Sequence, residues 1–327
     1  MKYVVCYSGG NSSALVAIEA VKKYGSENII LLNHNICGRV EHEDIKRFKD
    51  EIAEYLDIEI TYANMKGWEE KDQFDVCVGI GAFKVGTGTE LCTNRMKTEP
   101  FEKWLKYNYP VSPGETRQDI TLLYGFDPKE KNRTERRERI LGMKGYLTDF
   151  PLSNWKRTLS DTEEIGIKKP ITYNTFKHAN CVGCLKAGKQ HWYIVYSLYP
   201  EIWKKAKWAE SQIGYSIIKG TFLKDLEPKF ASMKERGIVP TEKIKPQTFW
   251  KLVRKELLKA KGTDQSKLTV NRFLSECSFE KLLPKLKINS KNGYQFSIFD
   301  FDEINDEKEV SLEKGYQFSI FDFLESK

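Results

Sequence analysis

The stretch "YVVCYSGGNSSAL" at residues 3–15 limits the possible folds more than any other part of the chain. A β-forming apolar run ends in two glycines and three serines, and apolar residues at helical spacing follow directly. Residues 2–7 read as a buried strand and residues 14–24 as a helix, with Leu15, Ile18 and Val21 on one face. The alternation continues with a strand at 28–33 and a helix at 42–56 that lines up Ile45, Phe48, Ile52 and Leu56. A third strand at 58–63, a short helix at 101–107 and a fourth strand at 120–124 complete the pattern. Strand–helix alternation at this spacing predicts an α/β fold, a doubly wound parallel sheet covered on both faces. Ligands of such sheets sit at the carboxyl ends of the strands.

The two glycines then acquire a purpose. Glycine lets the backbone approach oxygen atoms closely. The free N–H groups and dipole of a helix N-terminus favour negative charge. Ser8, Gly9, Gly10, Asn11, Ser12 and Ser13 therefore read as an anion loop. It is not a Walker A loop, because no Lys follows the glycines. The alternative is a plain strand–helix turn.

Bulk properties narrow the class. Hydrophobic residues make up 40% and charged residues 30% of 327, as in soluble globular proteins. A formal charge of +7 permits contact with polyanions without demanding it. No signal peptide or membrane-length apolar run is visible, so a cytoplasmic protein without membrane contact is expected. The seven cysteines are odd in number, which argues against a disulfide framework. Cys6 and Cys77 read as small buried hydrophobes, whereas Cys181 and Cys184 form a C-x-x-C.

Three further segments carry chemistry. "ELCTNRMKTEP" sets Cys92 before Arg95 and Lys97. "YGFDPKEKNRTERRER" follows the fourth strand and brings Arg133, Arg136 and Arg137 to helical spacing, either as a clamp on anions or as a solvated helix face. "FKHANCVGCLKAGKQHW" holds the C-x-x-C. Together with the SGGNSS loop these resemble the PP-loop ATP pyrophosphatases, and within them the phosphoadenosine phosphosulfate (PAPS) reductase-like branch. That branch includes phage and mobile-element proteins and the ATP-using component of DNA phosphorothioation systems. The resemblance covers roughly residues 1–215 and implies the adenine nucleotide alpha hydrolase fold.

The resemblance implies that ATP, with Mg2+, binds at Ser8, Gly9, Gly10, Asn11, Ser12 and Ser13, its adenine near Asn33. It implies catalytic roles for Ser8, Ser12, Cys92, Arg133 and Arg137. Many members have Asp where this chain has Ser12. Iron–sulfur sulfonucleotide reductases hold a 4Fe–4S cluster with a Cys-Cys pair and a distant C-x-x-C. Here Leu91 and Thr93 flank Cys92, so one member of the pair is missing, and Cys92, Cys181 and Cys184 remain. His178 or His191 is a candidate fourth ligand, and Zn2+ is the alternative to the cluster, since three Cys and one His suit a closed tetrahedral site.

The chain's last third differs. Residues 216–291 read as a basic helical region, with Trp250 and Phe273 among its cations, open to nucleic-acid contact or to a plain soluble role. Residues 292–327 read as a flexible acidic tail, with 9 acidic and 3 basic residues. "GYQFSIFDF" occurs there twice, at 293–301 and 315–323. Each QFSIF resembles the bacterial sliding-clamp-binding pentapeptide, with Gln295, Ile298 and Phe299, then Gln317, Ile320 and Phe321, as the anchors; duplicated packing strands are the alternative. The expected function is ATP-dependent adenylation with pyrophosphate release, coupled to sulfur transfer onto DNA, with a donor such as a cysteine desulfurase. A sulfonucleotide reductase is a second expectation, weakened because Glu276-Cys277 only partly matches that family's mobile cysteine. A non-enzymatic clamp-binding module is a third.

Overall fold

The computed structural model describes residues 1–86 and 88–259. The QFSIF repeats, Cys277 and the end of the basic region lie outside the described residues. The chain runs β1 (Lys2–Cys6), α1 (Asn11–Tyr24), β2 (Ile29–Asn33), α2 (Glu43–Leu56), β3 (Ile60–Tyr62) and α3 (Gln73–Ile80). A helix follows in three joined parts: α4 (Leu91–Thr93), a π-helical turn at Asn94–Thr98, and α5 (Glu99–Asn108). Then come β4 (Arg117–Leu123), α6 (Lys131–Gly142), β5 (Tyr146–Asp149) and α7 (Pro151–Asn154). Four helices close the described chain: α8 (Lys189–Leu198), α9 (Pro200–Ile213), α10 (Leu223–Glu235) and α11 (Pro246–Leu258).

The five strands form one all-parallel sheet in the order β3-β2-β1-β4-β5. The architecture is therefore α/β. Period-2 alternation sends side chains to both faces. On β1, Val5 joins an apolar cluster with α1 and α2, including Leu15, Ile18, Phe48 and Ile52. Its neighbour Val4 joins a second cluster with Phe101 and Leu105 of α5 and Leu141 of α6. Because both faces are covered, strands such as "IILLN" read as continuous apolar runs.

A third cluster lies apart from the sheet. Phe74 and Cys77 of α3, Val182 and Leu185 of the C-x-x-C segment, Trp192 of α8, Trp203 of α9, Phe230 of α10 and Phe249 of α11 pack together. Residues on both sides of the expected boundary at 215/216 thus share one core, and the basic helices continue the segment that carries the cysteines.

Strand order fixes the crevice. From β1 the chain builds outward through β2 and β3, then returns to place β4 on the other side of β1. That reversal opens a gap at the carboxyl ends of β1 and β4. The SGGNSS loop follows β1, and Tyr124, Gly125 and Phe126 follow β4. No helix among the described residues is long and apolar enough to cross a membrane.

Candidate anion loop and thiol group

Helix α1 begins at Asn11, three residues earlier than its apolar spacing suggests, with Gly10 as its extended N-cap. Gly9 has φ +76°, and a Cβ there would lie 2.8 Å from the aliphatic stem of Lys49. Both facts exclude a side chain. The amides of Ser13 and Ala14 bond Gly10 O, and Ser8 N–H donates to Ser13 Oγ. The Ser13 hydroxyl donates to Gly10 O at 2.8 Å. The amides of Gly9, Gly10 and Ser12 have no partner among the described residues. Three free amides at the N-terminus of a fourteen-residue helix, beside the Ser8 and Ser12 hydroxyls, can hold an anion.

Two neighbours shape the loop, and neither stands out in the sequence. A Cβ on Gly125 would sit 2.9 Å from the backbone C and O of Ser12, so the chain leaving β4 passes directly against the loop. From a 3-10 turn at Ile171–Asn174, the hydroxyl of Tyr173 accepts a hydrogen bond from Asn11 N–H at 3.1 Å. The Asn11 side chain in turn accepts from the Thr162 hydroxyl at 3.2 Å.

Asn33 is occupied within the protein. It is buried; its amide donates to Tyr7 O and its carbonyl accepts from Lys49 Nζ at 3.4 Å. Its side chain locks the ends of β1 and β2 together rather than offering itself to a base. The next residue, His34, donates from Nδ1 to Ala63 O. Burial, with Lys97 and Lys49 nearby, pushes its imidazole down to about 4, against a partial upward pull from the Ala63 bond.

The arginines stand at the β4 side of the crevice. Arg133 lies 4.1 Å from the Phe126 ring centroid and pairs with Glu130 at 2.7 Å. Arg137 lies 5.3 Å from the centroid of Tyr124. Burial raises the Cys6 thiol to about 11, with the Tyr124 hydrogen bond and Arg137 as weaker opposing influences. Cys6 is half-buried rather than fully buried as expected, and its raised thiol stays protonated at neutral pH. Arg136 is exposed.

Cys92, Cys181 and Cys184 come into one electrostatic neighbourhood. Burial raises the Cys92 thiol to about 12, and Cys181 and Cys184 add to the rise. Cys184 is raised first by burial and then by Cys181, while an N–H from Lys186 supports its sulfur. Lys97, on the π-helical turn, is raised chiefly by Cys181, with Cys184, Cys92 and Glu41 contributing. A π-turn widens a helix locally and is found often at functional positions. Three soft sulfur donors beside a cation suit a thiophilic metal in their chemistry. As they stand, no three His, Cys, Asp or Glu among the described residues converge as a metal-ligand group.

The C-x-x-C turn is held from several sides. Val182 N–H donates to Val40 O, and Gln73 Nε2 donates to the carbonyls of Val182 and Gly183. Gly183 N–H donates to His191 Nε2 at 3.2 Å, and His191 Nδ1 donates to Glu242 Oε1 at 3.2 Å. Both ring nitrogens of His191 are thus engaged, so it buttresses the turn and is not a free fourth ligand. Burial works against ionisation of Glu242, but the His191 hydrogen bond and charge hold it below the usual range. His178 is exposed, and the carboxylates it influences are Glu130 and Glu242, which gives no support to a ligand role. Cys77, treated as plain core, is fully buried; its sulfur accepts from Cys92 N–H.

A cavity of about 550 Å³ lined by Pro110, Arg117 and Asp119 opens at the amino end of β4, the edge opposite the crevice. No protein-family model, curated protein or solved structure matches the chain.

Proposed function

We propose that the chain is a PP-loop ATP pyrophosphatase of the PAPS reductase-like kind, acting in sulfur transfer onto DNA. The observation that carries this reading is the SGGNSS loop at the reversal point of a parallel sheet, with three amides at the head of α1 that have no partner among the described residues. The loop binds the phosphates of Mg2+-bound ATP through the amides of Gly9, Gly10 and Ser12 and the hydroxyls of Ser8 and Ser12. The adenine lies toward the β2 end, against His34 and backbone beyond the buried Asn33. An acceptor oxygen attacks the α-phosphorus, its bond to the β-phosphate oxygen breaks, and pyrophosphate leaves. Arg133 and Arg137 draw the departing anion or the acceptor's phosphate. A sulfide-level nucleophile then displaces AMP.

Cys92, Cys181 and Cys184 would hold an iron–sulfur centre, or zinc in its place. Such a centre supplies the site with metal-bound sulfur chemistry. Lys97 balances thiolate charge there, and the His191–Glu242 pair fixes the turn. Nucleic acid is the proposed partner for the basic helices: Lys229 lies 4.7 Å from the Trp250 ring centroid, and burial, Lys189 and Arg254 lower its basicity. Converging cations of this kind attract a phosphate backbone. The two QFSIF repeats are proposed to tether the enzyme to a sliding clamp, with a cysteine desulfurase as sulfur source.

The test is pyrophosphate release from ATP by purified protein, with and without DNA and sulfide, followed by mass analysis of the DNA. Release that depends on Gly10 and leaves sulfur on the DNA supports the reading. No release under any of these conditions rejects it. Release of sulfite from a sulfonucleotide would point to the reductase instead.

A further inference from the structure

The hydroxyl of Tyr173 reaches the anion loop from a distant part of the chain. Its oxygen accepts from Asn11 N–H at 3.1 Å. It also lies 3.2 Å from where a Cβ on Gly10 would stand, with the methyl of Ala179 at 3.8 Å from the same point. Residues 173–179 therefore pass over Gly10, and two residues later the chain enters the C-x-x-C. Within the first turn of α1, Asn11 N–H is satisfied by this hydroxyl and the amides of Ser13 and Ala14 by Gly10 O, whereas those of Gly9, Gly10 and Ser12 have no partner among the described residues.

A phenol has one hydrogen to donate and lone pairs to accept with. Having accepted from Asn11, Tyr173 still has its O–H, and no acceptor for it is found among the described residues. An oxygen seated on the free amides of Gly10 and Ser12 would lie beside that O–H. The chain Asn11 N–H to Tyr173 O–H to anion then forms a polarised relay, in which each bond strengthens the next.

We infer that Tyr173 is a phosphate-binding residue of this loop, delivered by the same segment that carries Cys181 and Cys184. This rests on the nucleotide reading above and deepens it. The tyrosine supplies a neutral donor from outside the loop. It also makes the position of the C-x-x-C segment sensitive to whether phosphate is bound, because one short stretch of chain carries both contacts.

Tyr173→Phe tests the assignment, since it keeps the ring and removes only the hydroxyl. Calorimetric titration of wild type and variant with inorganic pyrophosphate, ATP and adenosine separates the possibilities. A hydrogen bond to a charged oxygen predicts about a tenfold or greater loss of affinity for pyrophosphate and ATP, with adenosine unaffected. Unchanged affinity for pyrophosphate overturns the assignment. Tighter pyrophosphate binding also overturns it, because the hydroxyl would then be an obstacle that fills the loop. An equal loss for adenosine would reduce Tyr173 to a structural support. If the wild type binds neither pyrophosphate nor ATP, the nucleotide reading falls and this inference falls with it.

Discussion

Lys49 Nζ lies 2.8 Å from Glu41 Oε2, and both side chains are almost wholly buried. The stem of the same lysine fills the space beneath Gly9, and its ammonium also reaches Asn33 Oδ1. One residue of α2 thus supports the loop after β1 and the end of β2 together. Glu41 also adds to the raised basicity of Lys97, after Cys181, Cys184 and Cys92, so the support of the anion loop is linked electrostatically to the thiol group.

Removing one member of a buried ion pair leaves the other charged and unpartnered, which costs about 3–5 kcal/mol. Lys49→Met should lose stability in that range by urea denaturation. Adding Glu41→Gln should recover part of it, because the orphaned charge is gone. A single variant as stable as wild type would show that the pair contributes little.

Gly125 is fixed by closeness rather than by its dihedrals. Its hypothetical Cβ meets Ser12 carbonyl backbone at 2.9 Å, and backbone cannot swing aside as a side-chain end can. Gly125→Ala should shift the first turn of α1 and weaken ATP binding about tenfold or more, with overall stability falling by about 1–3 kcal/mol. Titration with ATP, alongside a thermal melt, checks both. Gly86, which has open space around it, serves as the control: Gly86→Ala should leave ATP affinity intact.

Much of the sheet was legible because strands covered on both faces are apolar throughout, and "YVVCY", "NIILLN" and "ITLLY" need no partner to be recognised. β5 was missed. It has four residues, of which only Tyr146 is buried, and it is a strand because β4 offers it an edge. The first turn of α1 does not show in the sequence because Asn11, Ser12 and Ser13 are weak helix formers. Tertiary contacts from Tyr173 and Thr162 hold that turn instead. The expected use of Asn33 and of the two histidines as ligands had no local signal against it. Only the fold shows that Asn33 is occupied by Tyr7 and Lys49 and His191 by Gly183 and Glu242, and that His178 is exposed.

The thiol group predicts a metal dependence confined to three of the cysteines. After anaerobic reconstitution with iron and sulfide, or with zinc, metal content should fall on replacing Cys92, Cys181 or Cys184 by Ser. His178→Ala should retain it, since that residue is exposed. Metal analysis with a visible spectrum distinguishes iron–sulfur from zinc. Retention by all three serine variants would dissolve the proposed centre, and loss in His178→Ala would restore the histidine as a ligand.

His34 makes stability depend on pH in a defined window. Burial first, then Lys97 and Lys49, hold its folded-state value at about 4, against an ordinary 6.5. Between those values the unfolded chain binds a proton that the folded protein refuses, so stability rises with pH across that range and is lost as pH falls. A shift of this size is worth about 2 kcal/mol between pH 7 and pH 4.5. Glu242, held below its ordinary value, acts in the same direction at the acid end, so wild type alone cannot apportion the effect. His34→Asn can: its amide can still donate to Ala63 O, and nothing there titrates. Urea midpoints at pH 7, 5.5 and 4.5 should fall more steeply for wild type than for His34→Asn, with the two curves separating below pH 6.5. Parallel curves would mean that the imidazole takes up its proton in the folded protein as freely as in the unfolded chain, and that His34 is not held neutral at the end of β2.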